Sequence, residues 1–138
     1  MIHAPRPTAL LLPEERMLMT LVQQVFEMEG FPVIMAHTAQ EILSFIETDR
    51  EPYLVLMDNY HNSPQARHLA TTIFTTPALH ARVKVVGFAV RLWEEIIPLD
   101  RYIPLPFEIG AVIDAINQLC ATVPADDRMS LAGCKCGF

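Results

Sequence analysis

Five short apolar runs alternate along the chain with segments in which apolar residues recur at helical spacing. The runs lie at residues 8–12, 31–36, 53–58, 83–89 and 101–106. Their length and branched side chains are typical of buried strands. The remaining periodic segments are predicted helices, at about residues 14–28, 38–46, 65–75, 91–97 and 107–119. This alternation predicts a parallel sheet with helices on both faces.

Two prolines predict the order of the strands. Pro32 lies near the start of the second run, and Pro104 lies inside the fifth. Proline has no N–H to donate to a β-ladder, so it is found in edge strands or at strand starts. In the order 2-1-3-4-5, the second and fifth strands are the two edges. We therefore predict a flavodoxin-like α/β fold, a (βα)5 doubly wound sheet of five parallel strands in that order.

Local signals mark helix starts and the extent of the domain. Thr38 and Glu41 have the spacing of a capping box, in which each side chain accepts a hydrogen bond from the other residue's amide. Glu14 is an acid at a helix start, where it interacts favourably with the helix dipole. The C-terminal composition is polar and rich in small residues. We predict one domain over residues 8–121 and a flexible tail over residues 122–138.

Composition argues against two classes of function. The 138-residue chain has a formal net charge of −6 and its basic residues are scattered singly, which argues against a nucleic-acid surface. No apolar run approaches the roughly 20 residues of a membrane span. The N-terminus lacks the basic start and apolar stretch of a signal peptide. We expect a cytoplasmic protein that does not act at a membrane.

The three cysteines do not form a disulfide framework, because their number is odd and two of them are crowded at the C-terminus. Cys134 and Cys136 form a C-x-C pair, but a zinc site needs two further ligands at a recognisable spacing. We interpret the pair as an inert feature of the tail. Four histidines are interpreted as ordinary surface or loop residues: His37, His61, His68 and His80.

The run at residues 53–58 ends abruptly in a carboxylate, Asp58, and is followed by turn-forming residues. An unbroken apolar run of this length indicates a strand buried on both faces. In open α/β sheets, ligands bind at the carboxyl ends of the strands. Asp58 is therefore the leading candidate for a functional residue. The alternative is that Asp58 only caps the end of a strand.

Two stretches resemble the receiver domains of bacterial two-component response regulators. Residues 54–58 (LVLMD) are similar to the strand that ends in the phospho-acceptor aspartate. Residues 102–107 (YIPLPF) are similar to the aromatic-x-x-Lys-Pro-Phe end of strand five. The resemblance covers about residues 8–120. It implies a CheY-like signal-transduction module of a two-component or phosphorelay system, not itself an enzyme, with Asp58 at the phospho-acceptor position.

Several positions depart from the receiver pattern and make the chain resemble a pseudo-receiver. The acidic pair that binds Mg²⁺ after strand one falls on Pro13 and Glu14. The hydroxyl residue at the end of strand four falls on Ala89, and the lysine after strand five falls on Leu105. Phosphoryl transfer depends on positioning and charge stabilisation. The resemblance therefore implies a silent acceptor position at Asp58, with Glu14 and Asp58 as a weak or absent Mg²⁺ site.

The resemblance also implies protein partners, either a sensor kinase or an output or regulatory protein. Receivers communicate through the helix after strand four, strand five and the final helix. Here this region contains Trp93 and Tyr102, and it is a candidate homodimer face. Because Ala89 has no hydroxyl group, Tyr102 is expected to be a half-buried anchor rather than a reporter of phosphorylation.

Two alternatives stay open. In the first, Asp58 is still phosphorylated, with Mg²⁺ held by Glu14 and Asp58 in a distorted site. In the second, the chain is a flavodoxin-like binder of a small ligand, although it contains neither a G-x-G-x-x-G motif nor a P-loop. If Glu14 and Asp58 lie close together, their repulsion should raise one pKa. Asp58 would then be sensitive to pH.

Overall fold

A computed structural model describes residues 6–48, 51–58, 63–89, 98–105 and 107–120. The strands and helices in these ranges are, in chain order, β1 (Thr8–Leu12), α1 (Arg16–Met28), β2 (Val33–Met35), α2 (Ala39–Thr48), β3 (Tyr53–Asp58), α3 (Pro64–Thr75), α4 (Pro77–His80), β4 (Val83–Ala89), β5 (Arg101–Pro104) and α5 (Ile109–Cys120). All strand pairings are parallel, and the sheet order is β2-β1-β3-β4-β5. The predicted fold class and strand order are confirmed.

The helices differ from the prediction at one place. α4 is a four-residue turn directly after α3, and the sequence pattern did not predict it. Pro77 ends α3 because the residue before a proline is driven into extended conformation, as Thr76 is, and proline itself favours the first helical position. The helix predicted at residues 91–97 lies outside the described residues.

Both strands that contain or follow a proline lie at the edges of the sheet. β2 begins after Pro32, which contributes only its carbonyl oxygen, accepting a hydrogen bond from the Ala9 amide at 2.8 Å. β5 ends at Pro104. Both strands are shorter than the apolar runs that predicted them, because proline cannot continue the ladder in both directions.

β3 forms the centre of the sheet, pairing with β1 on one side and β4 on the other, and all six of its residues are buried. Its side chains alternate between two cores. Val55 and Met57 pack with α2, α3 and α4, whereas Leu54 and Leu56 pack with α1 and α5. This alternation sends the next residue on the second side, Asp58, toward the start of α1.

The capping box at the start of α2 forms with one change of partner. The Thr38 hydroxyl oxygen accepts a hydrogen bond from the Glu41 amide at 3.1 Å, as predicted. The Glu41 carboxylate accepts from the His37 amide at 2.6 Å, whereas the prediction named the Thr38 amide. The amide that faces the carboxylate is therefore one residue earlier in the chain than in an ideal box.

Candidate functional site

Asp58 is the last residue of β3, and its side chain is fully buried. One carboxylate oxygen accepts a hydrogen bond from the Glu14 amide at 2.7 Å, and the other accepts from the Glu15 amide at 2.6 Å. These are two successive backbone amides immediately before α1, and Glu15 provides no side-chain cap of its own. Asp58 thus supplies the hydrogen-bond acceptor that these amides at the start of α1 do not receive from a local side-chain cap.

The environment of Asp58 raises its pKa above the ordinary value of 3.8. The largest cause is burial, which disfavours the charged form. The hydrogen bonds from the Glu14 and Glu15 amides lower the pKa, and the negative charge of Glu14 adds a smaller increase. The pKa of Asp58 rises, as expected from its closeness to Glu14. The chief cause, however, is removal of the carboxyl group from water and not repulsion by Glu14.

Glu14 connects this site to the start of α3. The Ser63 hydroxyl donates a hydrogen bond to the Glu14 carboxylate at 3.1 Å and accepts one from the Ala66 amide at 3.1 Å. Ser63 is buried and caps the N-terminus of α3. The sequence reasoning missed Ser63, although a serine followed by Pro64 is a recognisable helix start. Its contact with a residue far away in sequence carries no local signal.

The side chains around Asp58 do not fit a magnesium site. Both oxygens of Asp58 accept hydrogen bonds from amides, and the Glu14 carboxylate is bonded to Ser63. Pro13 has no oxygen in its side chain to offer. Among the described residues, no group of three or more His, Cys, Asp or Glu side chains is placed to hold a metal ion. Mg²⁺ prefers carboxylate oxygens in nearly ideal octahedral geometry, and the described side chains here do not supply such a set.

The next part of the sheet edge, where β4 and β5 end, presents apolar side chains. Ala89 is buried at the end of β4, and its carbonyl oxygen accepts hydrogen bonds from the Leu105 amide at 2.9 Å and from the Tyr102 hydroxyl at 3.1 Å. Leu105 is half-buried against the core that contains α1 and α5. Tyr102 is half-buried and anchored by its hydroxyl group, while Trp93 lies outside the described residues.

A second carboxylate, the partly buried Asp100, lies near the amino ends of the strands, just before β5. One oxygen accepts from the Val85 amide at 2.7 Å, and the other lies 3.0 Å from Nε2 of His80. The His80 ring also contacts the Phe74 ring, with centroids 4.1 Å apart. His80, interpreted from the sequence as an ordinary surface or loop residue, is partly exposed and makes these two side-chain contacts.

No protein-family model matches the chain, and a search of curated protein sequences finds no match either. Solved structures do match it. The chemotaxis response regulator CheY4 of Vibrio cholerae aligns with a TM-score of 0.66 and 11% identity, over 83% of this chain and 98% of that one. A response regulator from Thermotoga maritima aligns with a TM-score of 0.63 and 22% identity, over 83% and 97% of the two chains.

A third match is a co-crystal structure from Saccharomyces cerevisiae of the histidine phosphotransfer protein Ypd1 with the receiver domain of Ssk1. The TM-score is 0.67 and the identity 12%, over 89% of this chain and 95% of that one. These likenesses show that the chain has the fold of response regulator receiver domains. In the described ranges, no helix is both long and apolar enough to cross a membrane.

Proposed function

We propose that the chain is a signal-transduction module of the receiver type that acts through protein–protein contacts, and that its acceptor position is silent. The shared fold supports the first part. The second part rests on the carboxylate of Asp58, whose two oxygens both accept hydrogen bonds from backbone amides while no part of the side chain is exposed. The oxygen that attacks a phosphorus atom would have to weaken its hydrogen bond to a backbone amide and reach the phosphorus from a fully buried position.

The positions around Asp58 support the same conclusion. Transfer of a phosphoryl group requires positive charge or hydrogen-bond donors placed at the oxygens on which charge develops. Ala89 and Leu105 offer no side-chain donor there, and Pro13 offers no metal ligand. In this proposal, Asp58 ties the end of β3 to the start of α1. The partner is a sensor kinase or an output or regulatory protein that recognises the surface of the module.

A titration with Mg²⁺ and beryllium fluoride, a phosphoryl mimic, tests the silent site. In amide NMR spectra of the full chain, we expect no shift at Asp58 or Tyr102, because the carboxylate is already occupied and no cation neutralises the mimic. Shifts at both residues at millimolar Mg²⁺ would overturn the proposal. The matched control is the variant Pro13→Asp with Ala89→Thr and Leu105→Lys, which restores the receiver pattern and is expected to respond.

One observation favours a second candidate, a receiver still phosphorylated on Asp58 with Mg²⁺ held by Glu14 and Asp58. The Glu14 carboxylate is close enough to Asp58 to raise its pKa, so two carboxylates do converge on this edge. A response of the unmodified chain in the same titration, lost in Glu14→Gln, would favour this candidate. The third hypothesis, a flavodoxin-like small-ligand binder, stays a prediction.

A further inference from the structure

The edge strand β2 has one open side. β2 pairs with β1 alone among the strands of the sheet. The Pro32 carbonyl oxygen and the Ala36 amide both form hydrogen bonds to β1, each at 2.8 Å. Backbone groups of successive residues in a strand point to alternate sides. The amides and carbonyls of Val33 and Met35 therefore point away from β1, along the outer side of β2.

The outer side of β2 has none of the usual features that discourage another strand from pairing there. In the part of the chain that the structure describes, neither Val33 nor Met35 has a hydrogen-bond partner on that side. Pro32 does not interfere, because the N–H that proline lacks would point toward β1. Residues 31–36 are all uncharged. Natural edge strands commonly carry charged residues or prolines, as β5 does with Arg101 and Pro104.

The geometry of β2 selects one register for pairing with a second copy. In an antiparallel pair centred on Ile34, Val33 of each copy lies opposite Met35 of the other. Directly opposite residues can exchange both N–H···O bonds, so two such pairs form four hydrogen bonds. A register shifted toward Phe31 would need an amide that already donates to a carbonyl oxygen of α1 at 3.0 Å. One shifted toward His37 would need an amide that already donates to a carboxylate oxygen of α2 at 2.6 Å.

The same register brings opposite charges to both ends of the pair. Phe31 and His37 are each three residues from Ile34, so Phe31 of one copy lies opposite His37 of the other. The Arg6 guanidinium lies 4.7 Å from the centre of the Phe31 ring, and the Glu41 carboxylate accepts from the His37 amide. Arg6 of each copy is therefore at the same end of the interface as Glu41 of the other. Such complementarity favours this orientation over others.

We propose that β2 pairs with β2 of a second copy of this chain, antiparallel about Ile34, and joins two five-stranded sheets into one. A two-fold contact of this kind covers both open strands at once. The inference goes beyond the proposed function and does not depend on whether Asp58 is silent. It differs from the homodimer face around Trp93 and Tyr102 that the family resemblance suggested. Because β2 has only three residues, the dimer is expected to form at high concentration.

Hydrogen exchange of the full ¹⁵N-labelled chain tests the pairing residue by residue, between about 30 µM and about 1 mM. At the higher concentration, we expect the Val33 and Met35 amides to exchange at least about fivefold more slowly. The Ile34 amide points toward β1 with or without the second copy, so its exchange should not change. Light scattering should show the accompanying shift from monomer to dimer. A monomer at the higher concentration would overturn the proposal.

Val33→Pro removes an outward amide and leaves the backbone groups that face β1 in place. We expect this variant to lose both the dimer and the slowed exchange of Met35. The matched control, Val33→Thr, shortens the apolar surface but keeps the amide, and it should dimerise like the natural chain. Arg101→Ala changes the other edge strand and should have no effect. A dimer lost in Arg101→Ala but kept in Val33→Pro would overturn the proposal.

Charge variants test the register without changing β2 itself. Arg6→Glu and Glu41→Arg each place like charges at both ends of the proposed dimer, so each alone should dimerise several-fold more weakly. An equimolar mixture of the two variants should dimerise like the natural chain, because both ends then join an acid to a base. A folding defect in either variant would not be corrected by mixing. A mixture as weak as the separate variants would contradict the register.

One further result would replace the second copy with another occupant. Slow exchange of the Val33 and Met35 amides in a monomer, at every concentration, would mean that another segment of the chain pairs with β2. Magnetisation transfer from these amides to residues 1–5 or 121–138 would identify that segment. Either finding would overturn the proposed dimer.

Discussion

Asp58 and Asp100 lie at opposite ends of the parallel strands. The hydrogen-bond partners of their carboxylate oxygens differ. Asp58 is fully buried at the carboxyl end of β3 and accepts hydrogen bonds from two backbone amides. Asp100 precedes β5, is 13% exposed, and accepts one backbone amide while its other oxygen contacts His80. Each carboxylate joins a strand to a neighbouring segment.

Asp58 accepts hydrogen bonds from backbone amides alone, whereas Asp100 also contacts a side chain that can become a cation. Among the described contacts, no basic side chain reaches Asp58, so burial raises its pKa even though two amides stabilise its charge. Asp100 has an imidazole beside it that becomes a cation when protonated. Of the two carboxylates, Asp58, which the sequence resemblance aligns with the acceptor position, is therefore the one without a basic neighbour among the described contacts.

The largest effect is expected for Asp58→Ala. This change leaves the Glu14 and Glu15 amides without an acceptor in a buried place, and each such group costs about 1–3 kcal/mol. Relief from burying a carboxylate offsets part of that loss. We expect the free energy of unfolding to fall by about 2–3 kcal/mol, measured by urea denaturation at neutral pH. An unchanged free energy would mean that the two hydrogen bonds do not stabilise the fold.

A smaller effect is expected for Asp100→Ala. Only one backbone amide, that of Val85, loses its acceptor, and water reaches this partly exposed site more easily. The lost contact with His80 adds little, because ion pairs near solvent contribute at most about 1 kcal/mol. We expect a total loss of about 1–2 kcal/mol in the same denaturation experiment. A loss larger than that of Asp58→Ala would mean that the Asp100 contacts stabilise the fold more than the Asp58 contacts do.

His80→Ala is the matched control for Asp100→Ala, since it removes the imidazole and leaves the Val85 hydrogen bond intact. Its loss should be the smaller of the two. If both variants lose the same free energy, the imidazole rather than the amide contributes most of the stability at that edge.

The fold was predictable from the sequence because its signals are local. Apolar periodicity defined the strands and helices, and Pro32 and Pro104 indicated the edges without any tertiary information. The placement of Asp58 at the end of a buried central strand followed from the same pattern. Its hydrogen bonds to the amides before α1 could not be predicted, because every residue except proline has a backbone amide and the sequence does not show which amides are close in space.

Two of the side-chain contacts that sequence reasoning missed join distant segments. Ser63 and Glu14 are 49 residues apart, and His80 and Asp100 are 20 apart. The exposure of Leu21 and Met28 on α1 was missed for a different reason. Apolar spacing shows that both residues suit a helix face, but not how much of the helix the sheet covers.

The last prediction concerns pH and uses the raised pKa of Asp58. The unfolded chain releases the Asp58 proton near 3.8, whereas the folded chain retains it to a higher pH. Between these two values the folded state binds more protons, so the stability contributed by Asp58 is complete below 3.8 and declines as pH rises.

Urea denaturation of the natural chain and of Asp58→Asn over a pH series measures this decline. The difference between their free energies of unfolding removes the contributions of the other titratable groups, which both chains share. We expect that difference to fall with rising pH and then to level off. The corresponding difference for Asp100→Asn isolates the other edge, and a difference for Asp58 that rises with pH would mean that the two amides outweigh burial at the central strand.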